Sequence, residues 1–227
     1  MNYLHHIGAY FLMLREVFRK PQKWKVFWEM LFREIDDLGL KSLGIAAFIS
    51  FFVGGVVSIQ TALSVDSPFI PKYLIGFATM RSVVLEFAPT FISIILAGKV
   101  GSFITSSIGT MRVTEQIDAL EIMGINSINY LVLPKVIAAL FFYPIILAIA
   151  MFLGILGGWV AGLITELFYT EDYLYGVQLD FNPYIIKYSF IKLIVFAFVI
   201  VTIPAYHGHK VEGGALEVGR ASTKAVF

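Results

Sequence analysis

Between Val136 and Thr165 the chain runs thirty residues without one Asp, Glu, Lys or Arg. At about 1.5 Å per residue, a helix of that length exceeds the roughly 30 Å hydrocarbon core of a bilayer. In water it would have to be wrapped in a large polar shell. The rest of the chain cannot supply one, because 58% of the 227 residues are hydrophobic and 15% are charged. Ordinary soluble domains are about 45–50% apolar and about 25% charged. The chain therefore reads as an all-α, multi-pass membrane protein, a helical bundle solvated by lipid.

Four spans are expected, over about 44–63, 71–98, 136–165 and 184–206. The first carries a stripe of small residues, Ala47, Gly54, Ser58 and Ala62. Either it lets helix backbones approach closely or it merely marks a flexible, glycine-rich span. The third has Gly154, Gly158 and Gly162 on one face, a packing signature, and Pro144 as a place to kink. The second span holds Arg81, Glu86 and Pro89. Ser82, Glu86, Thr90, Ser93 and Ala97 recur at steps of three and four, making one polar-to-small face. A carboxylate at that depth faces a bundle interior or a wet cavity. Two readings stand: the face lines or gates a polar path, or Glu86 is a structural residue paired with a base on another helix. Lys187 and Lys192, near the start of the fourth span, can snorkel to the interface or reach Glu86. Arg81 is poorly placed for that role, lying about 140° away around the same helix.

Residues 1–43 precede the spans. Tyr3, Leu4, Ile7, Tyr10, Phe11, Leu14, Val17 and Phe18 fall on one helical face, and Pro21 ends that stretch. A second amphipathic run sets Trp24, Phe27, Trp28, Leu31, Phe32 and Ile35 against Lys23, Lys25, Glu29, Arg33 and Glu34. Aromatic residues opposite basic ones suit helices lying in the membrane interface; a soluble helical cap is the alternative. The first basic residue, Arg15, follows the first apolar stretch, so the N-terminus reads as mature protein and not as a signal peptide.

Lys and Arg fix the orientation. Thirteen lie before span one, between spans two and three, or in the tail, and one, Lys72, lies in the opposite connectors. The positive-inside rule then puts the N-terminus, the central connector and the tail in the cytoplasm. The connector after span three is acidic instead, with Glu166, Glu171, Asp172 and Asp180. A net charge of +1 predicts no nucleic-acid partner, and the lack of cysteine excludes disulfides and thiolate metal sites. No Walker A, HExxH or GxSxG motif is present, so no catalytic residue is expected. His5, His6, His207 and His209 lack a nearby carboxylate cluster, and no metal is expected either.

The polar connector, roughly Gly98 to Tyr130, contains TMRVTEQIDALEIMGINSIN over Thr110 to Asn129. Thr114, with Gln116 and Ile117, is placed to open a short helix and Gly124 to stop it. Glu115, Gln116, Asp118 and Glu121 form a polar face; Ile117, Leu120, Ile122 and Met123 form an apolar one. Such a helix can slot into a groove on another protein or lie on the membrane. Its acidic face disfavours the anionic cytoplasmic leaflet.

The stretch AGKVGSFITSSIGTMRVTEQIDALEIMGINSINYLVLPKVIAAL, Ala97 to Leu140, resembles the signature of MlaE-type permeases. GGALEVGRASTKAV, Gly213 to Val226, resembles the family's second signature, and LEFAPT, Leu85 to Thr90, a third. Where the family often has Arg directly before Leu-Glu, this chain has Val84. The resemblance implies the permease subunit of an ABC transporter that moves phospholipids between inner and outer membranes. It implies an inner-membrane homodimer, a cytoplasmic ATPase that supplies ATP and Mg chemistry, and a periplasmic MCE-domain lipid-binding protein. The connector helix then corresponds to the coupling helix, with Glu115, Gln116, Asp118, Ala119, Leu120, Glu121, Met123 and Gly124 facing the ATPase. The family continues past the second signature into a last span, so a chain ending at Phe227 is expected to be a truncated version. Two rivals remain: an ATPase-independent channel or carrier, which calls for charged pairs along several spans or inverted repeats, and a membrane scaffold for lipid trafficking without transport.

Overall fold

The computed structural model describes residues 3–19, 24–65, 70–179 and 182–226, with side chains from residue 5 onward. Expectations resting on Lys20, Pro21, Lys23 and Asp180, or on the side chains of Tyr3 and Leu4, lie outside the described residues. The described elements are all helical: α1 (Tyr3–Val17), α2 (Trp24–Ser64), α3 (Tyr73–Val113), α4 (Gln116–Ile122), α5 (Ser127–Thr165), α6 (Thr170–Gln178), α7 (Pro183–His209) and α8 (Ala215–Val226). Among them α2, α3, α5 and α7 are long and apolar enough to cross a membrane. The chain is a polytopic all-α membrane protein.

Three of the long helices overrun the hydropathy boundaries. The amphipathic run at Trp24 and the first span are one helix, joined by a π turn at Ile35–Leu40. α3 does not stop at Gly98 but continues to Val113, through π turns at Val83–Phe87 and Ala97–Gly101. α5 begins at Ser127, nine residues before the uncharged run. Isolated charges do not end a helix when they find partners nearby. Lys99 donates to the Lys41 carbonyl, and Lys41 pairs with Asp36 and Asp37 on the π turn.

The chain forms two compact units. One comprises Met1–Ser42, Leu96–Phe142 and Phe196–Phe227; the other comprises Leu43–Ile95 and Tyr143–Val195. In the first, Leu38, Ile104, Ile108 and Ile117 are fully buried. α8 packs on the last turns of α3, where Gly109 leaves room for Val211 and Val218. α1 runs beside the end of α7: Tyr10 hydrogen-bonds Thr202 at 2.7 Å, and Phe18 stacks on Phe198. The amphipathic run of α2 divides its apolar residues. Phe27 and Leu31 turn inward, whereas Trp24, Trp28 and Phe32 stay exposed, as lipid-facing residues do. Glu34, expected on the polar face, is buried instead, because it meets Lys135 of α5 at 2.5 Å.

In the second unit α2 and α5 touch backbone to backbone. A methyl group on Gly54 would land on the Gly154 carbonyl, and one on Gly157 on the Phe51 carbonyl. Ser58 and Ala62 continue the buried seam. Gly158 leaves space for the Tyr173 hydroxyl and Gly162 for the Phe168 ring. Tyr173 donates to the Ile155 carbonyl at 2.9 Å, and burial pushes its hydroxyl well above the usual phenol range, keeping the proton on. α6 seats Gly176 against the Tyr73 carbonyl of α3.

Candidate functional site

The short helix α4 is the most tightly specified feature of the first unit. α3 ends with Thr114 bonding back to the Thr110 carbonyl, and Glu115 takes a left-handed backbone (φ 59°) that reverses the chain. Glu115, not Thr114, therefore precedes the helix. At the other end Gly124 (φ 75°) closes it as expected: the Gly124 N–H donates to Glu121 and the Ile125 N–H to Leu120, a Schellman arrangement.

Side chains then brace α4 on both flanks. Arg112 at the end of α3 pairs with Asp118 at 2.5 Å. Ser127 at the start of α5 donates to Glu121 at 2.8 Å. Ile117 is the buried anchor. The apolar face expected from sequence is thus split: Ile117 is covered, while Ile122 is 87% and Met123 65% exposed. Glu115, Gln116 and Ala119 are exposed beside them, and Leu120 is partly buried. The result is a rigid helix whose apolar tip has no cover within the chain's described residues.

Two asparagines after α4 tie the start of α5 to α1, and sequence reasoning did not find them. Asn126 caps α5 through the Asn129 N–H and donates to Glu16 of α1 at 2.9 Å. The buried Asn129 amide donates to both the Val17 and Arg19 carbonyls, at 2.7 Å each, closing the C-terminus of α1. The signal was present as Asn-x-x-Asn opening a helix; its partners, more than a hundred residues away, were not.

The second unit holds the membrane carboxylate. Glu86 pairs with Lys192 of α7 at 2.8 Å; its side chain is 64% exposed and that of Lys192 20%. Pro89 explains the local geometry. The Ala88 N–H has shifted to the Val83 carbonyl in the π turn, and Pro89 has no N–H to give the next carbonyls. Ser189 Oγ donates to Val84 at 2.6 Å and Lys192 Nζ to Leu85 at 3.1 Å, supplying the missing donors. The other members of the polar stripe do not join Glu86. Ser93 is buried and donates to the Pro89 carbonyl, and Ser82 and Thr90 are partly buried. Arg81 lies over the Phe77 ring.

The profile of the family described as Permease MlaE matches residues 31–227. A probable ABC transporter permease protein of Rickettsia bellii is 35% identical over 201 residues, covering 88% of this chain and 77% of that protein. The intermembrane phospholipid transport system permease protein MlaE of Haemophilus influenzae is 26% identical over 219 residues, 96% of this chain and 83% of that protein. The chloroplastic protein TRIGALACTOSYLDIACYLGLYCEROL 1 of Arabidopsis thaliana is 29% identical over 218 residues, 90% of this chain and 58% of that protein. With 31–227 inside the family profile, the chain belongs to the MlaE family of ABC transporter permeases.

Proposed function

We propose that this permease moves phospholipids between the inner and outer membranes of a double-membrane cell, driven by a separate cytoplasmic ATPase that grips α4. The observation that carries the reading is the exposed Ile122–Met123 tip on a helix braced by Arg112 and Ser127. A docking helix transmits force only if it is stiff and joined to what must move. α4 is short, closed at its C-terminus by Gly124 and tied directly to α3 by Arg112 and to α5 by Ser127. Glu115, Gln116, Asp118, Ala119, Leu120, Glu121, Met123 and Gly124 form or support the ATPase-facing surface. ATP and Mg stay in the partner; this chain contributes no catalytic group.

The permease sits in the inner membrane with its N-terminus in the cytoplasm and works as a homodimer. A periplasmic MCE-domain protein receives or delivers the lipid. Glu86, Ser82 and Thr90 line or gate the polar part of the path, with the buried Ser93 behind them. The Glu86–Lys192 pair, partly exposed, offers a headgroup both charges at once. The side-chain-free contact of Gly54 with Gly154 lets α2 and α5 slide without unlocking interdigitated residues.

The test is co-purification. Asp118 and Glu121 hold internal braces, so reversing their charge would damage α4 itself. Ile122→Asp changes only the exposed tip. It should lower ATPase recovery and lipid-stimulated ATP hydrolysis by about tenfold, as loss of a central interface anchor does. Unchanged recovery and unchanged hydrolysis would rule out α4 as the ATPase contact.

A further inference from the structure

In the first unit, α1, α5 and α7 enclose an open pocket of about 320 Å³. Ala9, Leu12 and Met13 of α1 and Ile128 of α5 give it an apolar lining. Glu16 and Lys210 line the same pocket from different elements, with Tyr206 and His209 of α7 beside them. Glu16 and Lys210 do not pair with each other. Glu16 accepts from Asn126 at 2.9 Å and has Arg19 at 3.9 Å, and its side chain is 40% exposed. The Lys210 ammonium lies 4.9 Å from the centre of the Tyr206 ring and has no carboxylate partner among the described residues. An acid and a base therefore face one cavity across a gap.

The pocket also has a distinct position in the fold. It is built from the last turn of α7 and the first turn of α5, the ends of two membrane-length helices. The third wall is α1, whose Phe11 and Leu12 are exposed beside it. Helix ends and an amphipathic helix suit the headgroup layer, where one side is apolar and the other wet. A ligand that fits carries a cation for Glu16, an anion for Lys210 and hydrocarbon for Leu12 and Ile128.

We propose that this pocket binds a zwitterionic phospholipid headgroup, with its ammonium on Glu16, its phosphate on Lys210 and its chains along α1. An anionic headgroup of the same size would satisfy Lys210 but bring no cation to Glu16, whose only nearby base is the exposed Arg19 at 3.9 Å among the described residues. The site uses none of the residues of the lipid path or of the exposed α4 tip, so it does not depend on the transport reading.

The experiment loads the delipidated full chain with equimolar phosphatidylethanolamine and phosphatidylglycerol and counts retained lipid by native mass spectrometry. Wild type should retain phosphatidylethanolamine over phosphatidylglycerol by about threefold, the scale of one partly exposed ion pair. Glu16→Gln should abolish the preference, and Lys210→Met should lower retention of both lipids. Ala9→Phe, which fills the pocket and leaves the charges in place, should lose one lipid per protomer with an unchanged thermal melt. Equal retention of the two lipids by wild type overturns the proposal. So does a preference that survives both Glu16→Gln and Ala9→Phe.

Discussion

Glu34 and Lys135 bring two opposite charges together where neither meets much water. Their side chains are 11% and 6% exposed, and the second oxygen of Glu34 has no hydrogen-bond donor among the described residues. Lys135 also lies 5.7 Å from the centre of the Phe103 ring. Removing one member leaves the other buried and uncompensated, which costs about 3–5 kcal/mol. Glu34→Gln or Lys135→Met alone should therefore lower the melting temperature in detergent sharply. The Glu34→Met, Lys135→Met double variant should recover most of that loss, since two apolar side chains need no compensation. A double variant as unstable as the worse single would show that the pair acts through something other than charge. Nothing in the sequence marked these residues as partners. Glu34 followed the polar phase of an amphipathic run, and Lys135 stood at the border of an uncharged one. Only tertiary packing brings them together. Glu86 is the milder case: a base on another helix was one of its two expected fates, and Lys192 fills that role.

At the scale of the element, α2 contains its own control. Gly44 has open space where a side chain would start, whereas Gly54 has the Gly154 carbonyl. Gly44→Ala should be neutral or should stabilise the helix by about 0.5–1 kcal/mol, because glycine is a poor helix former. Gly54→Ala, in the same helix, should cost about 1–3 kcal/mol or more, because the backbones must part. Thermal melts of the two variants would check this, and equal effects would mean that α2 and α5 do not meet through these glycines. The span cores were legible in the sequence because hydropathy acts over twenty residues and tolerates local error. The helix ends were not, because they depend on single contacts. Ser102 bonding back to Gly98 at 2.6 Å, on a helix that runs to Val113, is one example. The α4 helix was legible from its glycine stop and its pattern, but which of its apolar residues would be covered was not. Ile117 and Ile122 look alike until the fold chooses between them.

For the molecule as a whole, orientation is the property with the widest consequences, and the chain's lack of cysteine makes it simple to measure. Met123 and Tyr169 are both well exposed, at opposite ends of α5 in sequence. If charge bias sets topology, Met123 lies in the cytoplasm and Tyr169 outside it. A membrane-impermeant maleimide should then label Tyr169→Cys in spheroplasts and Met123→Cys in inverted vesicles. Labelling of Met123→Cys in spheroplasts would reverse the assignment and remove α4 from the reach of any cytoplasmic partner.

The π turn at Val83–Phe87 also bears on how this gene can change length. An α-helix advances about 100° per residue, so one residue more or less rotates everything downstream by that angle. Dropping one codon from this stretch would turn the π turn into an ordinary α turn. Ala88, Ile92 and Ser93, now buried, would swing outward relative to Tyr73–Ser82, and the exposed Phe91 and Ile94 would change places with them. Pro89 and its two carbonyls would lose their match with Ser189 and Lys192. Length variation that a surface loop absorbs would here re-aim half a membrane helix, so Val83–Phe87 is a stretch that tolerates neither insertion nor deletion.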